Sequence, residues 1–478
     1  ITSCNGNAEI LRRLRNQYTS LYDISITDDD WGNFVVGEDE DLGWLGYFIG
    51  KSKCVNELTI YSSGEGENIE AFIEGINRNQ SINSLHIGTD LRGVSFRNLR
   101  PFFRNNNNLY QLEFNFEVGL ECAESIAFVL DENRCQSLES LRFEDCNLGE
   151  DGFAVIATAL RTYPELEELH LQHNNIGLMG CTALADTLRG WEASNLKHLD
   201  LDGNGIDDQG LQTLAAGITN TKLEELYLSD NLITGAGLRS MSDYFQSESC
   251  CLKTLNVLRN DFGDEGAVAL ADILMGNKSL TSLHFISHQS GITNPGWAAF
   301  SKLLCDPSSI NSTYLSNHNI GTIGEHEMLG TPFNIRRYLD LNELLDRRHA
   351  AIHKILKSHP DLDMEPFFQW KLKLLPAVIN WFQSARSRMV ANDLIGESIQ
   401  RQRQSLPSRE LSALYKFVRG MPALTVISYW QQQVINIQAR RRRLDVEEET
   451  AWVRLGGRPR DEGNVEFIQI GAKRMRQE

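Results

Sequence analysis

Apolar residues return along the middle of this chain in one fixed phrase. Leu166, Leu169 and Leu171 are followed by Asn174, and Leu196, Leu199 and Leu201 by Asn204. Leu223, Leu226 and Leu228 precede Asn231, and Leu252, Leu255 and Val257 precede Asn260. Leu280, Leu283 and Phe285 close the series. The phrases start 30, 27, 29 and 28 residues apart, a period that marks stacked structural repeats. Positions 1, 4 and 6 point into one core while 3, 5 and 7 alternate outward, as a short strand requires. One coil cannot bury its own leucines, so neighbouring coils stack and their strands join in a parallel sheet. The Asn at position 9 is placed to bond the backbone of the turn that follows. Gly152, Gly180, Gly210, Gly237 and Gly266 come next at a fixed offset, before segments such as 181–189 with Ala and Leu at helical spacing. Each repeat reads as strand, turn, helix.

Weaker copies extend the pattern toward the N-terminus. Phrases starting at Val55, Ile82 and Leu109 lack the Asn, and the phrase at Leu138 restores the pattern with Cys146 in the Asn place. Leu21, Ile24 and Ile26 form a first phrase, followed by acidic residues at Asp28, Asp29 and Asp30 and again over 38–41. An Asn-capped helix over 7–16 supplies an N-terminal cap within residues 1–20. Ile310, Thr313 and Leu315 give a last phrase. The reading is a solenoid of about eleven repeats over residues 21–330, bent into a horseshoe because helices are wider than strands. The period then stops. Helical spacing over 335–356, 366–389, 408–419 and 423–443 predicts an α-helical module over 331–450, its core including Trp370, Trp381 and Tyr415. Residues 451–478 read as a loosely ordered tail.

Charge divides the chain. Residues 1–330 carry 21 Lys+Arg against 47 Asp+Glu, and residues 331–478 carry 25 against 17, within a net charge of −18. An array at −26 repels phosphate and disfavours nucleic acid as a ligand. The +8 segment includes Arg440, Arg441, Arg442 and Arg443. Its charge suits it to dock on the acidic array, within one chain or between two copies. No apolar run reaches the roughly 18 to 20 residues of a membrane span, and no leader is visible after Ile1. Nine cysteines without a Cys-x-x-Cys pair fit a reducing compartment. The cytoplasm is expected, with the nucleus as alternative.

The phrase Leu-x-x-Leu-x-Leu-x-x-Asn resembles the leucine-rich repeat. Over 138–325 the period of about 28 residues, with a helix in each unit, looks like the ribonuclease-inhibitor type. Cys146-Asn147 matches a variant of the ladder position in intracellular repeats of this kind. The C-terminal stretches starting at Tyr338, Trp370 and Leu411 are similar to a large group of repeat proteins from diatom algae. The resemblance implies an α/β leucine-rich-repeat horseshoe, with the sheet concave and the helices convex, used as a protein-binding scaffold.

Alternation then lists the concave face. Position 3 gives Ser140, Glu168, His198 and Glu225, position 5 gives Arg142, His170, Asp200 and Tyr227, and position 7 gives Glu144, Gln172, Asp202 and Ser229. The last phrase would add Ser312, Tyr314 and Ser316. Strands about 4.8 Å apart gather Glu144, Glu168, His170, His198, Asp200, Asp202, Glu225 and Tyr227 into an acidic, aromatic-tipped patch. Such a patch suits a wet, charge-steered protein interface, so the expected partner is a basic protein. His170, His198 and Asp200 are also suitable metal donors. Glu168 with His198 could form an acid–base pair. Sequence gives only neighbouring positions for both, so no metal, cofactor or catalytic residue is assigned. No P-loop, His-Glu-x-x-His or Gly-x-Ser-x-Gly occurs. The expectation is a non-enzymatic scaffold. The alternative is a regulator of a small GTPase, since the repeats resemble those of the GTPase-activating proteins of Ran.

Overall fold

The computed structural model describes residues 5–28, 32–36, 41–62, 68–89, 95–133, 137–191, 195–285, 292–324 and 331–359. The expected helices beyond 360, the Arg440–Arg443 run and the tail lie outside the described residues. Of the stretches that carry the diatom resemblance, only the one at Tyr338 falls inside them.

The chain opens with α1 (Asn5–Arg15), β1 (Asp23–Thr27), β2 (Phe34–Val35), α2 (Asp41–Ile49), β3 (Glu57–Ile60), α3 (Ile69–Ile76) and β4 (Ser84–Ile87). A short 3-10 turn leads into α4 (Arg100–Asn105), then β5 (Gln111–Phe114), α5 (Leu120–Asn133), β6 (Ser140–Phe143) and α6 (Gly149–Ala159). The regular block follows as β7 (Glu168–His170), α7 (Gly177–Gly190), β8 (His198–Asp200), α8 (Asp208–Ile218) and β9 (Glu225–Tyr227). The next repeat contains α9 (Gly235–Arg239), α10 (Ser242–Gln246) and β10 (Thr254–Asn256), followed by α11 (Gly263–Ile273), β11 (Ser282–His284) and α12 (Asn294–Leu304). The last described elements are α13 (Ile310–Leu315), β12 (Thr322–Ile323), α14 (Phe333–Leu344) and α15 (Arg347–Ser358).

All twelve strands form one sheet in the order β12 to β3, then β1, then β2. Every pairing is parallel, and equivalent repeat positions face one another: Leu141 meets Leu169, which meets Leu199, which meets Leu226. That register makes the array a leucine-rich-repeat solenoid, because each apolar row runs unbroken between sheet and helices. Leu166, Leu169, Leu171, Leu184 and Leu201 are among the fully buried members of one continuous core. None of the described helices is long and apolar enough to cross a membrane.

Backbone groups at the strand ends are satisfied by two side-chain ladders. At position 9, Asn174 donates to Phe143 O at 2.7 Å, Asn204 to Leu171 O at 2.8 Å and Asn231 to Leu201 O at 3.0 Å. Cys146 keeps its place in this ladder, its thiol 3.2 Å from Phe114 O. Position 8, just before, takes a left-handed backbone at Asp145, His173, Gly203, Asp230 and Arg259, which turns the chain out of the strand. A second ladder, at the helix-to-strand return, went unread in the sequence. Asn79 donates to Ile49 O, Asn106 to Ile82 O and Asn277 to Phe245 O.

Glycines set the helix spacing where helices touch. A Cβ on Gly75 would run into the Gly46 carbonyl, and one on Gly46 into the Phe72 backbone. The pair lets α2 and α3 pack backbone to backbone. A Cβ on Gly180 would likewise collide with Ile176, which accounts for the glycine at that offset.

Two expectations at the ends of the array are corrected. Residues 310–315, read as the last strand phrase, form α13, whose first turn is capped by Ser309 accepting from Ser312 N. Ser312, Tyr314 and Ser316 therefore do not lie on the sheet, and the last strand is Thr322–Ile323, pairing with Ser282 and Leu283. At the other end, the loop after β1 contains an extra edge strand, Phe34–Val35, tied to α1 through Asn7.

The C-terminal end of the stack is covered by α14 and α15, which bury Ile335, Leu339, Ala350 and Ala351. Lys354 lies fully buried there and donates to Leu304 O at 2.7 Å, Asn342 Oδ1 at 2.8 Å and Asn317 O at 3.1 Å. Burial pushes its pKa down to about 7, while the three acceptors match the three ammonium N–H groups. The seven described cysteines are free thiols.

Candidate functional site

The sheet face turned away from the helices carries the predicted patch, centred on β6 to β9. Alternation turns positions 3 and 5 to this face while Leu141, Leu169, Leu199 and Leu226 anchor the strands from behind. Glu168 registers with His198, which registers with Glu225, and His170 registers with Asp200, which registers with Tyr227.

The side chains depart from those rows. His198 leans out of the position-3 row, and its ring stacks on His170 at 4.5 Å between centroids and lies tilted against Tyr227 at 4.9 Å. His170 and Tyr227 are the in-register neighbours of Asp200, so the ring contacts span the row in which Asp200 sits. Asp200 is 8% exposed and His170 9%. Burial raises the Asp200 carboxyl above the ordinary carboxylate range. It lowers the His170 imidazole to about 4, helped by the nearby Arg142 cation.

Each member has an orienting partner. His198 Nδ1 lies 3.0 Å from Glu225 Oε2, and that same oxygen accepts from Tyr227 OH at 3.2 Å. Asp200 accepts from Gln172 Nε2 at 2.8 Å and from its neighbour Asp202 N at 3.0 Å. Burial and the like charge of Asp200 push the Asp202 carboxyl up to about 6. Burial also pulls Glu168 upward, but Ser140, Arg142 and His170 outweigh it and hold the carboxyl below its usual range. Arg142 pairs with Glu168 at 3.0 Å and Ser140 donates to it at 3.1 Å. Burial and the Glu225 charge move the Tyr227 phenol up to about 12. Glu144 is exposed at the edge of the group and acts on Asp200 through its charge.

The structure thus gathers His170, His198, Asp200, Glu225 and Tyr227 into one contact set, with Glu168 and Asp202 against it and Glu144 at its margin. Arg142, Ser140 and Gln172 also belong to it, although the sequence placed them only on the same face. Their row positions were the available signal, since each sits on or beside a strand that carries a patch residue. His170, His198 and Asp200 present donor atoms all within 4.8 Å of one another. Neighbouring positions in the sequence are a convergent set in the fold.

Four stretches, 164–185, 192–215, 219–242 and 248–271, match the family model described as Leucine Rich repeat. They contain β7, β8, β9 and β10. Human "NACHT, LRR and PYD domains-containing protein 14" is 32% identical over 207 residues, 42% of this chain and 18% of that protein. Pig ribonuclease inhibitor is 29% identical over 240 residues, 49% of this chain and 51% of that protein. Mouse ribonuclease inhibitor is 30% identical over 161 residues, 34% and 35% of the two chains. The chain therefore spans from under a fifth to about half the length of these relatives. An internalin from Listeria monocytogenes aligns with a TM-score of 0.29 at 15% identity, covering 62% of this chain and 91% of that one, too distant to carry an argument. Register, ladder and repeat matches together make this chain a leucine-rich-repeat protein whose repeats are of the ribonuclease-inhibitor type.

Proposed function

We propose that this chain is a protein-binding scaffold, not an enzyme, and that the β6–β9 face is where a basic partner docks. The observation that carries this is the composition of the cluster: five carboxylates, Glu144, Glu168, Asp200, Asp202 and Glu225, around the adjoining rings of His170, His198 and Tyr227. Among the described residues of that cluster Arg142 is the cation, and Glu168 already engages it. A half-buried acidic surface with preorganised aromatic rings recognises Lys and Arg side chains by charge and by ring contact. Strands fix its geometry, so a partner meets a surface that loses little entropy on docking. The pig relative is, by its name, an inhibitor of a ribonuclease, which is a protein.

The test is capture from a source lysate with mass-spectrometric identification, comparing wild type with the triple variant Glu144→Lys, Glu168→Lys, Glu225→Lys. A basic partner held by wild type and released by the variant, with both proteins melting at similar temperature, supports the reading. A partner held equally by both removes the interface from this face. If the captured protein is a small GTPase, a GTP-turnover assay separates regulation from scaffolding.

A further inference from the structure

We propose that His170, His198 and Asp200 form a binding site for a divalent transition-metal ion of the zinc class. The three donor atoms lie within 4.8 Å of one another. Zinc bonds of about 2.0 to 2.1 Å ask for donors somewhat closer than that. Side-chain rotation within the cluster must supply the difference.

A second observation points to a ligand. His170 is nine-tenths buried, yet its Nε2 has no hydrogen-bond partner. Glu168 Oε2 lies 3.5 Å away, at the limit of a hydrogen bond, and acts on the ring mainly through its charge. Nδ1 of the same ring accepts from Gln172 Nε2 at a long 3.3 Å, so ligation through Nε2 moves the ring proton to Nδ1 and exchanges this weak contact for the metal bond. His198 Nε2 is also buried and without a partner. Native interiors leave few such nitrogens, and these two are set apart from others such as His86 Nε2 by lying together beside the Asp200 carboxylate.

The surroundings resemble the outer shell of a metal centre. Glu225 accepts from His198 Nδ1 at 3.0 Å, which fixes the tautomer with its lone pair on Nε2 and strengthens that nitrogen as a donor. Asp200 is aimed by Gln172 and Asp202 N. Two imidazoles and one carboxylate select zinc, cobalt or nickel over calcium or magnesium, which prefer all-oxygen sets. Three protein donors leave the remaining position to solvent on the open sheet face. Metal binding requires neither the partner nor the protein-docking reading.

The experiment is a Zn2+ titration of the chelator-stripped full chain, by calorimetry and by competition with a chromophoric chelator. Wild type is expected to take one ion at this site. His170→Ala and His198→Ala are each expected to weaken binding at least tenfold, whereas His173→Asn, an exposed histidine on the same turn series, leaves it unchanged. Failure of wild type to bind Zn2+ overturns the proposal, as does binding unaffected by both substitutions. If His170→Ala does not fold, the less buried His198→Gln decides on the same criterion. Co2+ supplies a readout independent of affinity. Intense visible d–d bands of a tetrahedral nitrogen–oxygen site are expected in wild type and lost in His198→Gln, and a hexaaquo-like spectrum overturns the assignment.

Discussion

The side-chain oxygen of Asn204 accepts the backbone N–H of Asn174 at 3.1 Å, joining two repeats through a residue that is fully buried. The same amide donates to Leu171 O at 2.8 Å and to Asp202 O at 3.1 Å. Asn204→Ala removes these bonds and a fourth, from Ile176 N at 3.4 Å, and leaves buried backbone groups unmatched. The expected loss is about 3 kcal/mol, read as a lower urea midpoint with an unchanged slope.

Gly75 tests the close approach of α2 and α3. A methyl group there meets the Gly46 carbonyl, which is backbone and cannot rotate away. Gly75→Ala is expected to cost about 2 kcal/mol or more despite alanine's better helix propensity. A melting temperature equal to or above wild type would contradict the packing.

Lys354 is fully enclosed and holds three acceptors. Lys354→Met relieves the desolvation of an ammonium but abandons Leu304 O, Asn317 O and Asn342 Oδ1. Unmet acceptors outweigh the relief by about 2 kcal/mol. Loosening of α14 and α15 should appear first as faster amide exchange over 335–356.

His318, 2% exposed, is held neutral. Burial, with Lys354 and Arg347 adding to it, lowers its pKa to about 4 from an ordinary 6.5. The unfolded chain therefore binds a proton that the folded chain refuses between those values. The stability contribution is complete above pH 6.5 and declines as pH falls toward 4, by about 3 kcal/mol across the window. Denaturation at pH 7 and pH 5 should show a larger loss in wild type than in His318→Gln, by about 2 kcal/mol.

Most of the array was legible because strand phrase and core are the same information. Leu58, Leu85 and Leu112 sit in β3, β4 and β5 although those repeats lack the position-9 Asn. Apolar spacing alone was enough. Phe34–Val35 went unseen because two residues carry no period. The misread phrase at Ile310 shows the opposite failure: three apolar or near-apolar residues in strand spacing were overruled by the Ser309 cap and a helical turn. For the candidate site, alternation identified which residues share a face. It could not give the lean of His198 across the row of Asp200, which depends on rotamers and on the Glu225 carboxylate.

The outermost strands of the described sheet, β2 and β12, are two residues long. Hydrogen bonding between strands propagates only where an edge offers a run of vacant N–H and C=O groups, and these edges offer almost none. Copies of the molecule therefore have little template for joining end to end into a fibre. Many repeats accumulate along one chain while their parallel pairing stays confined within it.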